Sequence, residues 1–117
     1  MYRNGQPAGE HKTYHENGQL QYVRWFVNGK VNGPQKVFYD TGKIREKSTL
    51  KNGVYDGLFT DYYKDYEDGT VNKTCYYVDG KLNGQLTGYY PSGNVRISCN
   101  YVNDLISGDF TEYYDST

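Results

Sequence analysis

Hydrophobic and polar residues alternate along this chain in short runs, which are separated by compact polar breaks. Each run is six to nine residues long and rich in Tyr, Phe, Val and Thr. The breaks are of two kinds: Gly after two or three polar residues, and closing pairs such as Asn28-Gly29 and Asp79-Gly80. Such runs, bounded by turn residues, predict β-strands. No segment of ten or more residues shows the 3.6-residue period of an amphipathic helix. The sequence therefore predicts an all-β fold with about nine strands, at residues 10–15, 19–27, 34–39, 43–51, 58–63, 70–78, 85–90, 94–102 and 109–114.

The strand pattern repeats with a period close to 24 residues. Spacings of 24, 24, 27 and 24 residues separate five unit-opening glycines: Gly9, Gly33, Gly57, Gly84 and Gly108. The chain divides into a fragment at 2–8, four units at 9–32, 33–56, 57–83 and 84–107, and a half unit at 108–114. A period of this size predicts a repeat architecture in one domain. The chain starts and stops inside the rhythm, so a complete array and a piece of a longer array both stay open as interpretations.

Short links between successive strands predict antiparallel neighbours and a single elongated, twisted meander sheet. Strict alternation places two sets of side chains on opposite faces. In unit one, the first set is Leu20, Tyr22, Arg24 and Phe26. The second set is Val23, Trp25 and Val27. Two adjacent aromatic columns, beginning at Tyr14 and His15, are expected to cover both faces with rings.

The repeating unit resembles a known family of repeats. The resemblance rests on Gly84 followed by the turn Tyr89-Tyr90-Pro91-Ser92-Gly93, on the matching residues of unit two, and on Val27-Asn28-Gly29-Lys30. These features resemble the MORN repeat family in its bacterial-type variant, over essentially residues 2–114. The resemblance implies a twisted array of β-hairpins. It also implies functions seen in the family: many bacterial members are described as antitoxins, and other arrays tether membranes or scaffold partners.

Composition adds two constraints. Fifteen of the 117 residues are Tyr, whose ring can cover a sheet while its hydroxyl faces water. The net charge is −1, and positive and negative residues are interspersed without a basic stripe. This pattern argues against nucleic acid, for which affinity depends on Lys and Arg, and makes anionic membrane lipid an unfavoured partner.

Candidate chemistry is sparse. Cys75 and Cys99 occupy one column of adjacent units, about 9–10 Å apart, which is too far for a disulfide. We predict two reduced, half-buried thiols. His11 and His15 are about 13 Å apart on one strand and cannot share a metal. We therefore predict no metal, no cofactor and no catalytic role; enzymatic activity would need a domain outside these residues. Reduced thiols, with no signal-type or membrane-spanning apolar segment, favour the cytoplasm.

Unit three carries the main local anomaly, a three-residue insertion in its turn at residues 64–69. We expect this loop to project as an acidic patch with an exposed tyrosine. Its candidate contact residues are Tyr66, Glu67 and Asp68. A tolerated insertion and a calcium loop are the alternative interpretations, although the ligand spacing matches no complete calcium pattern.

The functional prediction is a non-catalytic module that binds a protein partner, in its sharper form an antitoxin or immunity protein. Tyr and Trp are common anchors of protein interfaces. The predicted contact patch on the sheet is Tyr14, Val23, Trp25, Val27 and Tyr76. Two alternatives stay open: a structural array that self-associates into homo-oligomers through its open edges at 10–15 and 109–114, or an accessory or membrane-tethering region of a larger protein.

Overall fold

The computed structural model describes residues 2–3 and 5–115, which form an open β-sheet with no helix. The chain measures 52 × 34 × 15 Å, so the sheet is a single elongated layer. The strands are β1 Tyr2–Arg3, β2 Gln6–Pro7, β3 Gly9–Tyr14, β4 Leu20–Val27, β5 Lys30–Val31, β6 Gly33–Phe38, β7 Ile44–Lys51, β8 Val54–Tyr55, β9 Gly57–Tyr62, β10 Val71–Val78, β11 Lys81–Leu82, β12 Gly84–Tyr89, β13 Val95–Val102, β14 Leu105–Ile106 and β15 Thr111–Glu112. No described segment is a helix that could cross a bilayer.

The predicted meander is confirmed. Thirteen antiparallel strands form one sheet, while β1 and β2 form a separate ribbon. Nine of the thirteen follow the order β3-β4-β6-β7-β9-β10-β12-β13-β14, and the short strands β5, β8, β11 and β15 pair with β4, β7, β10 and β13. The sequence missed the two-residue strands. Strands β5 and β6 both pair with β4, and the same arrangement recurs on β7, β10 and β13. The strand that follows each closing turn is therefore divided in two: a two-residue part such as β5, directly after the turn, and a longer part such as β6.

The closing turns of the units explain why the sequence predicts the strands so well. Asn28 and Gly29 both have positive φ, 51° and 81°, as a two-residue type I′ hairpin turn requires. Asn and Asp tolerate this left-handed region better than other side chains do, and Gly adopts it without a steric penalty. Asn52-Gly53 and Asp79-Gly80 repeat the geometry.

A β-bulge near the start of each long strand changes which side chains share a face. Thr13 pairs with Tyr22, but the next residue, Tyr14, pairs with Leu20, so Gln21 is an extra residue. The register shift recurs in the β6–β7, β9–β10 and β12–β13 pairs. The prediction that Leu20 shares a face with Tyr22 is therefore wrong. Strict alternation fails at a bulge, because two residues of one strand oppose a single residue of its partner.

The second aromatic column joins consecutive units by hydrogen bonds. The hydroxyls of Tyr39 and Tyr63 donate to the main-chain carbonyls of Tyr62 and Tyr89, each at 2.6 Å. In unit one a histidine occupies this column, and its Nε2 lies 2.9 Å from the carbonyl oxygen of Phe38. These residues act as connectors between units, a role beyond the ladder of rings that the sequence predicts.

Most of the apolar packing lies in the second half of the array. Cys75, Leu86 and Cys99 are buried together, with five partly buried neighbours: Phe59, Tyr77, Leu82, Ile97 and Tyr101. The corresponding positions of unit two are the buried polar residues Gln35 and Ser48. We call the face that carries these buried side chains the packed face and the opposite one the open face. One face of the sheet is therefore apolar in units three and four but polar in unit two.

Candidate functional site

A continuous row of directly paired residues crosses the open face. Starting from the first hairpin, each member is the cross-strand partner of the next: Lys12, Val23, Lys36, Lys47, Thr60, Thr74, Thr87, Ser98 and Thr111. Directly paired residues project from the same face, with neighbouring strands about 4.8 Å apart. We call this set the cross-strand row. Its first half is basic and its second half consists of hydroxyl side chains.

A groove on the open face of units one and two surrounds the chain's single tryptophan. It has a volume of about 470 Å³ and eight lining residues, namely Glu10, Lys12, Leu20, Val23, Trp25, Pro34, Lys36 and Phe38. We call it the Trp25 groove. Trp25 is 43% exposed. The floor is thus aliphatic and aromatic, and charged side chains stand at its rim.

The backbone beside Trp25 is set by a glycine. Gly33 has φ of +117°, a conformation that side-chain-bearing residues rarely adopt, and a Cβ there would meet the Trp25 Cβ at 3.6 Å. The same relationship holds between Gly84 and Tyr76. Trp25 and Tyr76 are therefore equivalent positions of different units, four strands apart, or about 19 Å. They share the open face but do not form one contiguous patch.

The remaining predicted sheet residues lie near the Trp25 groove. Val23 lines it, and Tyr14 is 61% exposed and pairs with the lining residue Leu20. Val27 is exposed two residues beyond Trp25 on the same strand. The sequence analysis missed the other six lining residues: Glu10, Lys12, Leu20, Pro34, Lys36 and Phe38. Three of them belong to unit two, and only the pairing of β4 with β6 brings that unit beside Trp25.

Tyr76 lines neither groove; it lies on β10 two residues after Thr74, which lines a second open-face groove. This groove measures about 410 Å³ and is lined by Thr70, Val71, Thr74, Tyr89, Pro91, Ser92 and Gly93. Like the Trp25 groove, it includes the first residue of a long strand and an aromatic residue of the following unit. It contains no charged side chain, which distinguishes the two grooves chemically.

The inserted loop does not project freely, contrary to our expectation. Its Asp68 accepts a hydrogen bond from the backbone amide of Ile44 at 2.9 Å, and the Lys43 ammonium donates to the Tyr66 carbonyl at 2.7 Å. The Tyr66 ring also packs edge-on against Tyr63. The loop therefore lies on the turn of the preceding unit. Tyr66 and Glu67 keep exposed side chains, whereas Asp68 is engaged in this contact.

A hydrogen-bonded network occupies the packed face of units one and two. Arg24 Nε donates to Gln35 Oε1 at 2.6 Å. The Gln35 amide then donates to Glu46 and Ser48, and the Ser48 and Tyr55 hydroxyls donate to the same Glu46 oxygen. Burial, with the Glu46 charge and hydrogen bond, raises the pKa of Tyr55 to about 12. The network satisfies its members internally, which is typical of a polar core.

Asp61 extends this network toward unit three. Burial is the main cause that raises the pKa of its carboxyl, and neighbouring Glu46 adds to the effect, although Lys73 and Arg45 oppose it. The pKa of an aspartate carboxyl is about 3.9 in the unfolded chain. When folding raises this pKa, the carboxyl stabilises the fold at a pH below about 3.9, and this contribution is lost as the pH rises through the pKa of the folded state. At neutral pH the ionised Asp61 therefore weakens the fold.

Asp61→Asn is expected to raise the melting temperature at pH 7, because it removes a half-buried charge and leaves an oxygen for the Asn72 amide. The gain should disappear as the pH is lowered toward 3, where aspartate is protonated. Thermal unfolding followed by circular dichroism between pH 3 and 8 measures this. The same substitution at the exposed Asp109 is the control. A gain from Asp61→Asn that does not change with pH would contradict the electrostatic cause.

The cysteines and histidines lie apart from the grooves. Cys75 and Cys99 are buried and unbridged on the packed face, as predicted, and burial raises the pKa of the Cys75 thiol. The His11 ring packs against Phe26, with ring centroids 4.9 Å apart, whereas the other histidine contacts the backbone of unit two. Within the described residues, no group of three His, Cys, Asp or Glu side chains could hold a metal ion.

Comparison with known families agrees with this geometry. The model of the MORN repeat variant matches residues 7–28, 31–52 and 82–103, which together are more than half of the chain. The unmatched interval contains the inserted loop of unit three. No curated protein matches the chain significantly. The predicted resemblance is thereby confirmed at the level of the repeat, and the chain belongs to the MORN repeat variant family.

Proposed function

We propose that this chain is a non-catalytic module that captures a protein partner in the Trp25 groove. The observation that carries the proposal is a half-exposed tryptophan above an aliphatic floor with a charged rim. Tryptophan contributes a large contact area at a low cost in side-chain entropy, which makes it a frequent energetic centre of interfaces. MORN repeats in general act as interaction modules for proteins or membranes.

Other features support a role without catalysis. The most buried thiol, that of Cys75, has a raised pKa and lies on the packed face, away from both grooves. A thiol under these conditions is a poor nucleophile, because the thiolate is the reactive form. In the sharper form of the proposal, the partner is a toxin or a similar effector whose active surface is covered on binding.

Trp25→Ala is expected to abolish capture of the partner, whereas Tyr76→Ala is expected to preserve it. The two residues hold equivalent positions with similar exposure, 43% and 49%, so the substitutions impose comparable structural changes. Affinity purification from the native source with the wild-type chain and each variant, quantified by mass spectrometry, measures the difference. Circular dichroism melting of each variant checks that the fold is retained.

The reverse result has a defined meaning. If Tyr76→Ala loses the partner and Trp25→Ala retains it, the interface lies on the open face of unit three around Tyr76 rather than in the Trp25 groove. If both variants retain it, the open face is not the interface. Loss in both variants would indicate a partner that spans the two grooves.

Self-association is the second candidate. Strand β3 pairs on one side only, with β4, and its other edge is unpaired in the described part of the chain. Such edges can pair with a second copy. Light scattering over a range of concentrations distinguishes a self-associating array from a monomeric binder, and a constant monomer mass would exclude the former.

A further inference from the structure

Charges that are interspersed in the sequence are sorted between the faces of the folded sheet. Of the described strand residues between 9 and 51, five lysines project from the open face, three in the cross-strand row and two further along the strands: Lys12, Lys30, Lys36, Lys47 and Lys51. The only carboxylate on this face of these strands is that of Glu10. Acidic residues lie in the turns or, like Glu46, on the packed face. The first half of the open face is therefore strongly basic, although the chain carries a net charge of −1.

Two of these lysines are placed unfavourably for folding. Lys36 and Lys47 are direct cross-strand partners, and neither forms an ion pair within the described residues. Like charges directly opposite each other destabilise a sheet. Lys12 differs, because its ammonium lies 3.8 Å from the Glu10 carboxylate. Lys36 lines the Trp25 groove and Lys47 lies beside it on the next strand, so this repulsive pair is well suited to bind a ligand that supplies the missing negative charge.

We propose that the occupant of the Trp25 groove is an acidic protein segment with one aliphatic or aromatic anchor residue. The anchor packs on Leu20, Val23 and Trp25, and flanking carboxylates lie against Lys12, Lys36 and Lys47. This inference rests on the proposed function and adds the chemical class of the partner. It is argued from charge complementarity: basic side chains border the apolar floor on the side of the cross-strand row.

The shape and chemistry of the groove favour a polypeptide over other anionic ligands. A bilayer surface needs a protruding basic or apolar element, whereas this site is concave. A sugar ring needs acceptors for its hydroxyls, and the lining side chains include only one carboxylate, that of Glu10. Leu20, Val23 and Pro34 provide apolar contacts that suit a hydrophobic side chain instead.

The second half of the cross-strand row continues the same track. Beyond Lys47 it presents five hydroxyl side chains on adjacent strands, from Thr60 to Thr111. Hydroxyls donate hydrogen bonds to carboxylates or to peptide carbonyls without adding charge. A segment that lies across the strands would therefore bind through ion pairs at one end and through neutral hydrogen bonds at the other.

Trp25 is the only tryptophan in the chain, so its fluorescence reports directly on the groove. The probe is a short peptide with a central leucine flanked by glutamates, which contains no aromatic residue. Titration should shift the Trp25 emission to shorter wavelength as water is displaced. Raising the salt concentration from about 0.05 M to about 0.5 M should weaken binding, because exposed ion pairs are screened. Matched peptides with glutamine or lysine in place of glutamate should bind far more weakly.

Lys36→Glu is expected to weaken binding of the acidic peptide by about tenfold or more, since a rim attraction becomes a repulsion. The same change should keep or raise thermal stability, because the introduced carboxylate would face Lys47 as an opposite charge. Lys81→Glu is the matched control: Lys81 is exposed on the open face, about four strands from Lys36. It alters the net charge equally and should leave binding unchanged.

The outcomes separate this inference from the proposed function. The acidic partner is overturned if the glutamine peptide binds as tightly as the glutamate peptide, or if the glutamate peptide causes no shift of the Trp25 emission. Partner capture that is lost in Trp25→Ala would still support a protein-binding groove in that case. Retained binding in Lys36→Glu, or equal losses in both lysine variants, also overturns it. If phosphatidylserine vesicles or heparin shift the emission and the peptide does not, the ligand is an anionic lipid or polysaccharide and both proposals fail.

Discussion

Replacing Leu86 with alanine is expected to lower the free energy of unfolding by about 2–4 kcal/mol. Leu86 is only 8% exposed and lies between Cys75 and Cys99 in the apolar cluster of the packed face. Truncation removes its apolar contacts and leaves a cavity. The sheet cannot close this cavity, because backbone hydrogen bonds hold the neighbouring strands at a fixed spacing. In a single-layer array with little dry core, such a loss is a large share of the total stability.

Urea unfolding followed by circular dichroism measures the effect, and Leu58→Ala provides the control. Leu58 is 56% exposed on the open face, so the same chemical change there should cost about 0.5 kcal/mol or less. Trp25 fluorescence reports on the first hairpin at the same time. Coincident transitions are expected, because side-chain hydrogen bonds such as that from Tyr63 to the Tyr89 carbonyl join consecutive units. Similar losses at both leucines would contradict the burial argument.

Gln35→Leu is expected to destabilise the fold by about 2 kcal/mol even though leucine occupies the equivalent position in unit four. Gln35 is 3% exposed and makes three side-chain hydrogen bonds, to Arg24, Glu46 and Ser48. A leucine side chain can form none of these three hydrogen bonds. The half-buried Arg24 and Glu46 would lose a partner in a place where water has little access, which is costly for charged groups.

Replacing the network as a whole should recover most of this loss. The variant combines Arg24→Cys, Gln35→Leu, Glu46→Met, Ser48→Cys and Tyr55→Phe, so no network member is left without its partner and unit two comes close to the apolar pairing of Leu86 with Cys99. Methionine is chosen because it is unbranched. The isoleucine at the equivalent position, Ile97, packs over Gly88, whereas unit two has Val37 there. Urea unfolding should place this variant within about 1 kcal/mol of the wild type. A combined variant less stable than Gln35→Leu would show that the individual hydrogen bonds, rather than their completeness, stabilise the packed face.

Much of the fold was predictable from local signals. The Asn-Gly and Asp-Gly pairs adopt the positive φ values that their composition predicts, so the strand positions follow from them. The two-residue strands and the position of Leu20 were not predictable in this way. The position of Leu20 depends on a bulge between β3 and β4, and β5 is separated from β6 because five steps from Val31 to Lys36 face only three on β4. The alternation of side chains along one strand reveals neither feature.

The candidate site was only half visible in the sequence. Trp25 stands out because it is unique and lies opposite the apolar positions of its strand. Its neighbours Lys36 and Phe38 do not stand out in the sequence, because they belong to another unit. They line the same groove as Trp25 only through the pairing of β4 with β6. The inserted loop shows the same limit. Its length was plain, but the contact of Asp68 with the Ile44 amide joins residues 24 positions apart.

The sequence by itself determined the repeated β-hairpin and the positions of its turns, because both depend on backbone preferences within a few residues. The repeat period also placed the two cysteines in one column of adjacent units, which separates them by two strand spacings. Only the tertiary structure decided which side chains share a surface. The lysines at 12, 36 and 47 are scattered in a chain with a net charge of −1, yet they stand in one row across the open face. Interstrand hydrogen bonds fix the strand register, and bulges shift it. This register places the scattered lysines side by side on the open face, beside Trp25.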